Sequence, residues 1–472
     1  MLFNSLTFVV FLAVVVLLHN LPVGWRQKKL QLLVASYLFY AAWNPPFVAV
    51  LWFSTAVDWW VAGALHRTRG AGRRKALLLV SLVANLGLLG FFKYGGFVLE
   101  NFVALTGAIG LHYRPVAPDI VLPVGISFYT FQTLSYTIDV YRRQLAPAPS
   151  FLDFALFVTF FPQLVAGPIV RASDFLPQCV EPRRATRARF GWGLFLVSLG
   201  LFEKVVLADV VLAPVADLVF GSPFPVGMLD AWVGVLAFGS QIFCDFAGYS
   251  TCAIGLAFML GFWIPDNFRY PYGAVGFSDF WRRWHVSLST WLRDYLYIPL
   301  GGNRGGSFAT YRNVLITMLL GGLWHGASWT FVAWGGLHGL FLVVERALRA
   351  RFGGRSWTAR WPVVLAGGAV TFVLVHVAWV FFRAQSFGQA LLVLGTMAGF
   401  VRGFPVVRTL DLALVGGVVA GIVLVHALMR RRHLAEVAGR LPWWLLGVVW
   451  AFFLLGLALT QGGGNAFIYF QF

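Results

Sequence analysis

Charge is what this sequence has least of. Only 11% of its 472 residues are charged, and just 18 of them are Asp or Glu. With 59% hydrophobic residues, a water-soluble chain of this size would lack the polar side chains to cover its core. Cysteine is nearly absent as well. Cys179 stands apart and Cys244 and Cys252 share one apolar run, without disulfide or metal-ligand spacing, so all three read as packing residues. No His-x-x-x-His or Cys-His pattern supports a zinc site, and no metal is expected. A Gly-x-Ser-x-Gly elbow is missing, which removes the usual sign of a serine hydrolase. No repeat of fixed period appears, and no inverted repeat of the transporter kind.

What is present is a series of apolar runs long enough to cross a bilayer, separated by short basic loops. Lys and Arg number 36, giving a formal charge of +18. In a soluble protein that excess would suggest nucleic acid. Here it sits between spans, so the positive-inside rule accounts for it and no nucleic-acid partner is expected. A further role in attracting anionic lipid or a phosphorylated donor to the basic face is compatible with it. The pattern predicts an all-α polytopic membrane protein of about ten spanning helices with re-entrant and interfacial segments, in one domain over residues 1–472.

Taking basic loops as cytoplasmic puts both termini outside. The first run, Leu6 to Leu18, lacks a preceding positive region and a following cleavage site, and reads as a retained helix. Spans follow over Leu30–Trp43, Phe47–Leu65 and Ala76–Phe92, then an external connection with a half-helix over Lys93–Pro118, and a span over Asp119–Tyr141. Phe151–Val170 is interrupted by Pro162, Gly167 and Pro168, which predicts a re-entrant hairpin buried in protein. Further spans are expected over Phe190–Val211, Met228–Trp263 (with a kink near Gly248), Pro362–Phe382, Leu410–Met429 and Trp443–Leu459. Between Ile264 and Arg312, arginines alternate with tryptophan and tyrosine, the composition of an interfacial layer. Ser278 is placed to cap a helix starting at Asp279, with Trp281, Trp284, Leu288, Trp291 and Tyr295 at helical spacing. That helix is expected to lie along the cytoplasmic face or to dip from it.

The chemistry concentrates around Trp324-His325-Gly326. Arg312 to His325 is thirteen steps, about 20 Å of helix at 1.5 Å per residue, inside a hydrocarbon layer about 30 Å thick. A polar ring at that depth faces a protein interior or a water-filled cavity and marks a functional site, unless it is a packed, hydrogen-bonded histidine. Arg312 and Arg346 bracket the segment with like charge, so it either dips into the membrane and returns or breaks the count of alternating spans. Neutral imidazole suits proton exchange with a hydroxyl. His285 is a second candidate. Asp245, with Tyr249 one turn later, either pairs with an arginine, orients a histidine or lines a polar path. Glu203, Lys204 and Asp209 read as a self-compensated polar patch. The loop Pro299–Gly306 fits either a tight turn or a phosphate cradle involving Asn303 and Arg304. It lacks the Lys-Ser/Thr ending of a nucleotide-hydrolysing loop.

Together the stretches LPVGISFYTFQTLSYTIDVYR, FFPQLVAGPIVR, FCDFAGYS, NFRYPY, FWRRWHVSLSTWLRDYLYIPLGGNR, LLGGLWHGASWTFVAWGGLHG and FIYFQF resemble the membrane-bound O-acyltransferase family, in its bacterial polysaccharide-acylating branch. The resemblance implies a ring of helices around a central tunnel with cytoplasmic and external funnels. It also implies a catalytic core over about residues 119–346, followed by C-terminal helices and an external tail over 361–472. It makes His325 the catalytic histidine and His285 its second polar position. It further implies acetyl-CoA or another acyl-CoA as donor substrate with no bound cofactor, Arg282 and Arg283 among the donor-side cations, and an exported cell-envelope polysaccharide such as alginate as acceptor. The setting is the bacterial inner membrane, with membrane lipid around the chain and an external acyltransferase as partner. The tail resembles the C-terminal aromatic motif of small subunits in teichoic acid D-alanylation, where a tyrosine is the proposed acyl relay. Tyr469 is then either a relay or an interfacial anchor. The rival classes are a proton-coupled transporter of a small acylated metabolite and a non-catalytic scaffold.

Overall fold

The computed structural model describes residues 1–460 except 112, 114, 117–119 and 166. Their regular structure is helical, with one isolated bridge between Val226 and Phe404. Among the described residues six helices are long and apolar enough to cross a membrane: Phe47–Arg67, Ala71–Ala108, Met228–Met259, Trp329–Phe352, Trp361–Arg383 and Thr409–Met429. Shorter apolar helices cover Leu6–His19, Phe387–Met397 and Trp443–Leu459. The chain is thus a multi-pass membrane protein. Large apolar side chains such as Leu6, Leu17, Val83, Leu365 and Leu459 point outward, which suits lipid and not water. Protein encloses 83% of the apolar window in Met228–Met259 but only 22% in Thr409–Met429. The first is therefore an interior helix and the second a peripheral one.

The chain divides into two compact units. The first comprises Met1–Leu194 and Ala253–Pro265. Its expected re-entrant segment is two short helices, Phe151–Thr159 and Phe161–Leu164, broken at Phe160. Nine residues of helix extend about 14 Å, too short to cross. Residues 153–164 are all buried, so the freed backbone groups need protein partners. They have them: Gln132 and Gln163 both donate to the Phe157 carbonyl, at 2.6 and 2.8 Å, and the Phe161 N–H donates to Ser36 Oγ at 3.1 Å. Elsewhere in this unit Asp58 accepts hydrogen bonds from Ser81, Asn85 and Thr137 and so ties three helices together.

Two expectations for this unit need correction. The helix from Ala71 does not give way to a loop at Lys93. A π-helical turn, Gly90–Tyr94, carries it into Gly95–Ala108, because one widened turn absorbs an interruption without ending the hydrogen-bond ladder. The span expected from Asp119 begins at Ile126; Asp119 itself lies outside the described residues.

The second unit comprises Phe195–Cys252 and Asp266–Phe472. Its core gathers Phe238, Phe243, Trp334, Trp379 and Phe382 from three helices, with Trp284 from the bend before Val286–Leu292. The 32-residue helix Met228–Met259 runs on without a break at Gly248. Before it, a π-helical stretch over Phe202–Leu212 precedes Ala213–Phe220.

Candidate active site

His325 ends the helix Gly306–His325, and Gly326 is extended, so the chain turns and re-enters as Trp329–Phe352 with Ser328 capping Thr330 N–H. The two helices therefore form a hairpin with His325 at its tip. Gly326 is obligatory here, since a Cβ would stand 2.1 Å from the Phe331 ring. His325 is buried, and the rings of Trp324, Trp334 and Phe382 lie around it at centroid distances of 5.0, 4.9 and 5.3 Å. The fourth ring is His285, 6.5 Å away and inclined by 62°. Two sequence candidates forty residues apart are thus neighbours in a box of aromatic side chains.

His285 does not lie within a continuous helix. The expected helix from Asp279 is instead two pieces, Phe277–Trp281 and Val286–Leu292, and His285 between them has φ 42° and ψ 56°. This left-handed conformation costs a non-glycine residue about 1–3 kcal/mol and persists only where its surroundings impose it. Ser278 is not the cap either: Gly276 takes that position, and the Ser278 N–H donates to Glu345 at 2.9 Å. What imposes the break is the segment after Pro265. The Val286 N–H donates to the Asn267 carbonyl and the Arg269 N–H to the Arg283 carbonyl, both at 2.9 Å. The His285 Nδ1 lies 3.0 Å from Asn267 Oδ1. Burial pushes this imidazole well below the ordinary histidine range, so it is neutral at physiological pH.

The helix ends give the pair opposite surroundings. His325 lies in the last turn of a 20-residue helix, where outward carbonyls favour a positive charge. His285 precedes the first amides of Val286–Leu292, which disfavour one. The arrangement can hold one ring that takes up a proton beside one that stays neutral, the division of labour that acid–base pairs require.

Asp245 and Tyr249 face elsewhere. Lys204 is salt-bridged to Asp245, and to Asp209 at 2.8 Å, with all three buried. It also lies 5.7 Å from the centre of the Tyr249 ring. Asp245 is therefore paired with the lysine of the patch read as self-compensated. The adjacent face of the same helix supplies the histidine site: Phe246 packs on His285 at 4.7 Å, and Ser250 accepts from Asn267 Nδ2 at 3.2 Å.

The donor-side candidates separate likewise. Arg283 is engaged within the protein, by Asp279 at 2.9 Å and by the carbonyls of Arg269 and Arg430 at 3.2 and 3.0 Å. Arg282 and Arg304 are exposed. Asn303 accepts from Tyr297 and from Arg346. The amides of Gly301, Gly302 and Arg304 donate to the carbonyls of Ile298, Tyr297 and Gly301 at 3.0–3.1 Å, which is the bonding of a tight turn rather than of a phosphate cradle. Tyr469 lies outside the described residues. Sequence reasoning passed over Asn267 and Ser287 as site residues. The signal for Asn267 was faint: one amide in the NFRYPY stretch, buried after a proline.

An all-helical, multi-pass chain that buries a histidine at the tip of a helical hairpin against a second histidine from a neighbouring segment belongs to the class of membrane-embedded transferases. Residues 15–386 match the membrane-bound O-acyltransferase family; the chain belongs to that family and is an O-acyltransferase. It is 44% identical over 410 residues to the probable alginate O-acetylase AlgI of Pseudomonas putida, covering 85% of this chain and 81% of the relative. The peptidoglycan O-acetyltransferase of Helicobacter pylori is 40% identical over 397 residues, 79% of this chain and 74% of the relative. The teichoic acid D-alanyltransferase of Streptococcus thermophilus is 29% identical over 270 residues, 53% and 64% of the two chains.

Proposed function

We propose that this enzyme moves an acetyl group from acetyl-CoA on the cytoplasmic side of a bacterial inner membrane toward an exported cell-envelope polysaccharide, with both termini outside. The observation that carries the reading is the buried His325–His285 pair at 6.5 Å, set between helix ends of opposite polarity. His325 Nε2 or Nδ1 takes the proton from an acceptor hydroxyl. The freed oxygen bonds to the thioester carbonyl carbon, the C–S bond breaks, and the imidazolium returns the proton to the sulfur as free CoA leaves. His285, kept neutral, orients the reacting groups. The names of the alginate and peptidoglycan relatives support a polysaccharide hydroxyl as final acceptor. The match over residues 15–386 runs through both compact units, which supports one domain acting as a whole.

In this reading the first acceptor is the Tyr469 hydroxyl, and an external transferase takes the acyl group onward. A phenolic ester conserves enough of the thioester's reactivity to serve as such a carrier. The test uses purified protein in liposomes with acetyl-CoA labelled in its acetyl group. Release of free CoA with acetyl transfer to protein or polysaccharide is expected, and loss of both in His325→Ala. Transfer at the wild-type rate in correctly inserted His325→Ala overturns the assignment. Passage of intact labelled cargo would instead identify a transporter. Tyr469→Phe retains the ring and removes the nucleophile, so unchanged acylation there leaves only an anchor.

A further inference from the structure

We infer that Asn267 is a positioning residue that locks His285 in the tautomer with hydrogen on Nδ1, so that Nε2 is left as the acceptor of the ring that neighbours His325. The inference rests on the proposed role of the histidine pair and adds the group that sets its protonation pattern.

The direction of every hydrogen bond around Asn267 follows from one that cannot be reversed. The backbone N–H of Ser287 lies 3.3 Å from Asn267 Oδ1, and a backbone amide only donates. The atom facing it is therefore the amide oxygen; a flipped side chain would set an NH₂ group against an N–H. Ser287 Oγ donates to the same oxygen at 2.9 Å, and Asn267 Nδ2 donates to Ser250 Oγ at 3.2 Å. With the oxygen so fixed, the 3.0 Å contact to His285 Nδ1 requires a proton on Nδ1. In neutral imidazole that leaves the lone pair on Nε2.

The same residue also holds the backbone. Its carbonyl accepts from Val286 N–H at 2.9 Å, beside the left-handed His285. Asn267, Ser287 and Ser250 are all nearly inaccessible, at 1%, 6% and 2% exposure, so solvent does not compete for these bonds. A carboxylate in this position would favour imidazolium by its charge; an amide oxygen accepts the same Nδ1–H without adding that charge.

The test has a spectroscopic arm and a kinetic arm. In protein labelled with ¹⁵N at histidine, subtraction of the His285→Gln spectrum isolates the His285 ring. Wild type should show hydrogen on Nδ1 only. Asn267→Leu should show a mixture of tautomers, and Asn267→Asp should carry imidazolium at neutral pH. In transfer assays, Asn267→Leu should lower kcat about 10–100-fold, as loss of an orienting partner does at other sites, with donor KM little changed. Asn267→Asp should lose transfer on the acidic side and recover as pH rises, because the added carboxylate raises the imidazole pKa. An unchanged tautomer in Asn267→Leu overturns the inference, as does a pH profile of Asn267→Asp parallel to that of Asn267→Leu. Wild-type transfer in His285→Gln would instead refute the catalytic reading of the pair while leaving the tautomer result standing.

Discussion

Gly322 and Gly335 meet across the hairpin that carries His325, with no room for a side chain on either. A Cβ on Gly322 would stand 2.2 Å from the Phe331 carbonyl oxygen, and one on Gly335 would stand 2.2 Å from that of Met318. Each would also lie 3.1 Å from the other glycine's Cα. Small residues allow such backbone approach inside membranes, where packing holds helices together.

Gly322→Ala or Gly335→Ala should therefore splay the hairpin and cost about 1–3 kcal/mol, as overpacking does. Transfer should fall with it, because the hairpin tip positions His325. Gly336→Ala is the control: there a Cβ meets only the flexible end of Leu319 at 3.3 Å. Thermal unfolding in detergent should show a lowered Tm for the first two variants and little change for the third. Equal Tm values in all three would mean that the hairpin does not depend on this contact.

The hairpin was legible in sequence because its causes are local: like charges at both ends, and glycines around a histidine in the middle of an apolar run. The spans were legible for the same reason. The break at His285 was not. Trp281, Trp284, Leu288 and Trp291 keep helical spacing straight through it, and a periodicity cannot register one residue turned left-handed by a partner eighteen positions earlier. The partner of Asp245 was hidden in a similar way. Lys204 and Asp209 are five residues apart, and it is the wide π-helical stretch over Phe202–Leu212 that pairs them, with Lys204 also paired to Asp245. Nothing in residue order announces such a turn.

That cluster gives a second prediction. Lys204→Met leaves Asp209 and Asp245 buried around a missing cation, a loss of about 3–5 kcal/mol for a broken buried pair. Replacing the whole set, Lys204→Met with Asp209→Asn and Asp245→Asn, removes the uncompensated charge and should recover much of the Tm. Both variants should transfer acyl groups at rates that follow their folded fraction, since the ion pairs hold the helix beside the histidine site and not the histidines themselves. A triple variant no more stable than Lys204→Met would show that the residues do not act as an ionic unit.

The last prediction separates two adjacent arginines that sequence treats alike. Arg283 binds Asp279, and Arg430 binds the same carboxylate at 2.8 Å; Arg282 is exposed. Arg282→Ala should therefore raise the apparent donor KM with kcat retained, the pattern of lost binding, whereas Arg283→Ala should lower Tm. Burial pushes the Asp279 carboxyl up, but the Val275 N–H at 3.0 Å and the two guanidinium groups outweigh it and hold it below the usual carboxylate range. A carboxylate depressed in the folded state stabilises above its unfolded pKa, near 3.9, and that stabilisation is lost as pH falls through the folded value. The Tm gap between wild type and Asp279→Asn should thus be full at pH 6 and close on acidification below about pH 4. Should the gap persist unchanged to pH 3, Asp279 would hold the segment by packing rather than by charge. Arg283→Ala would then be expected to cost stability through its lost carbonyl contacts alone, with the same Tm deficit at every pH.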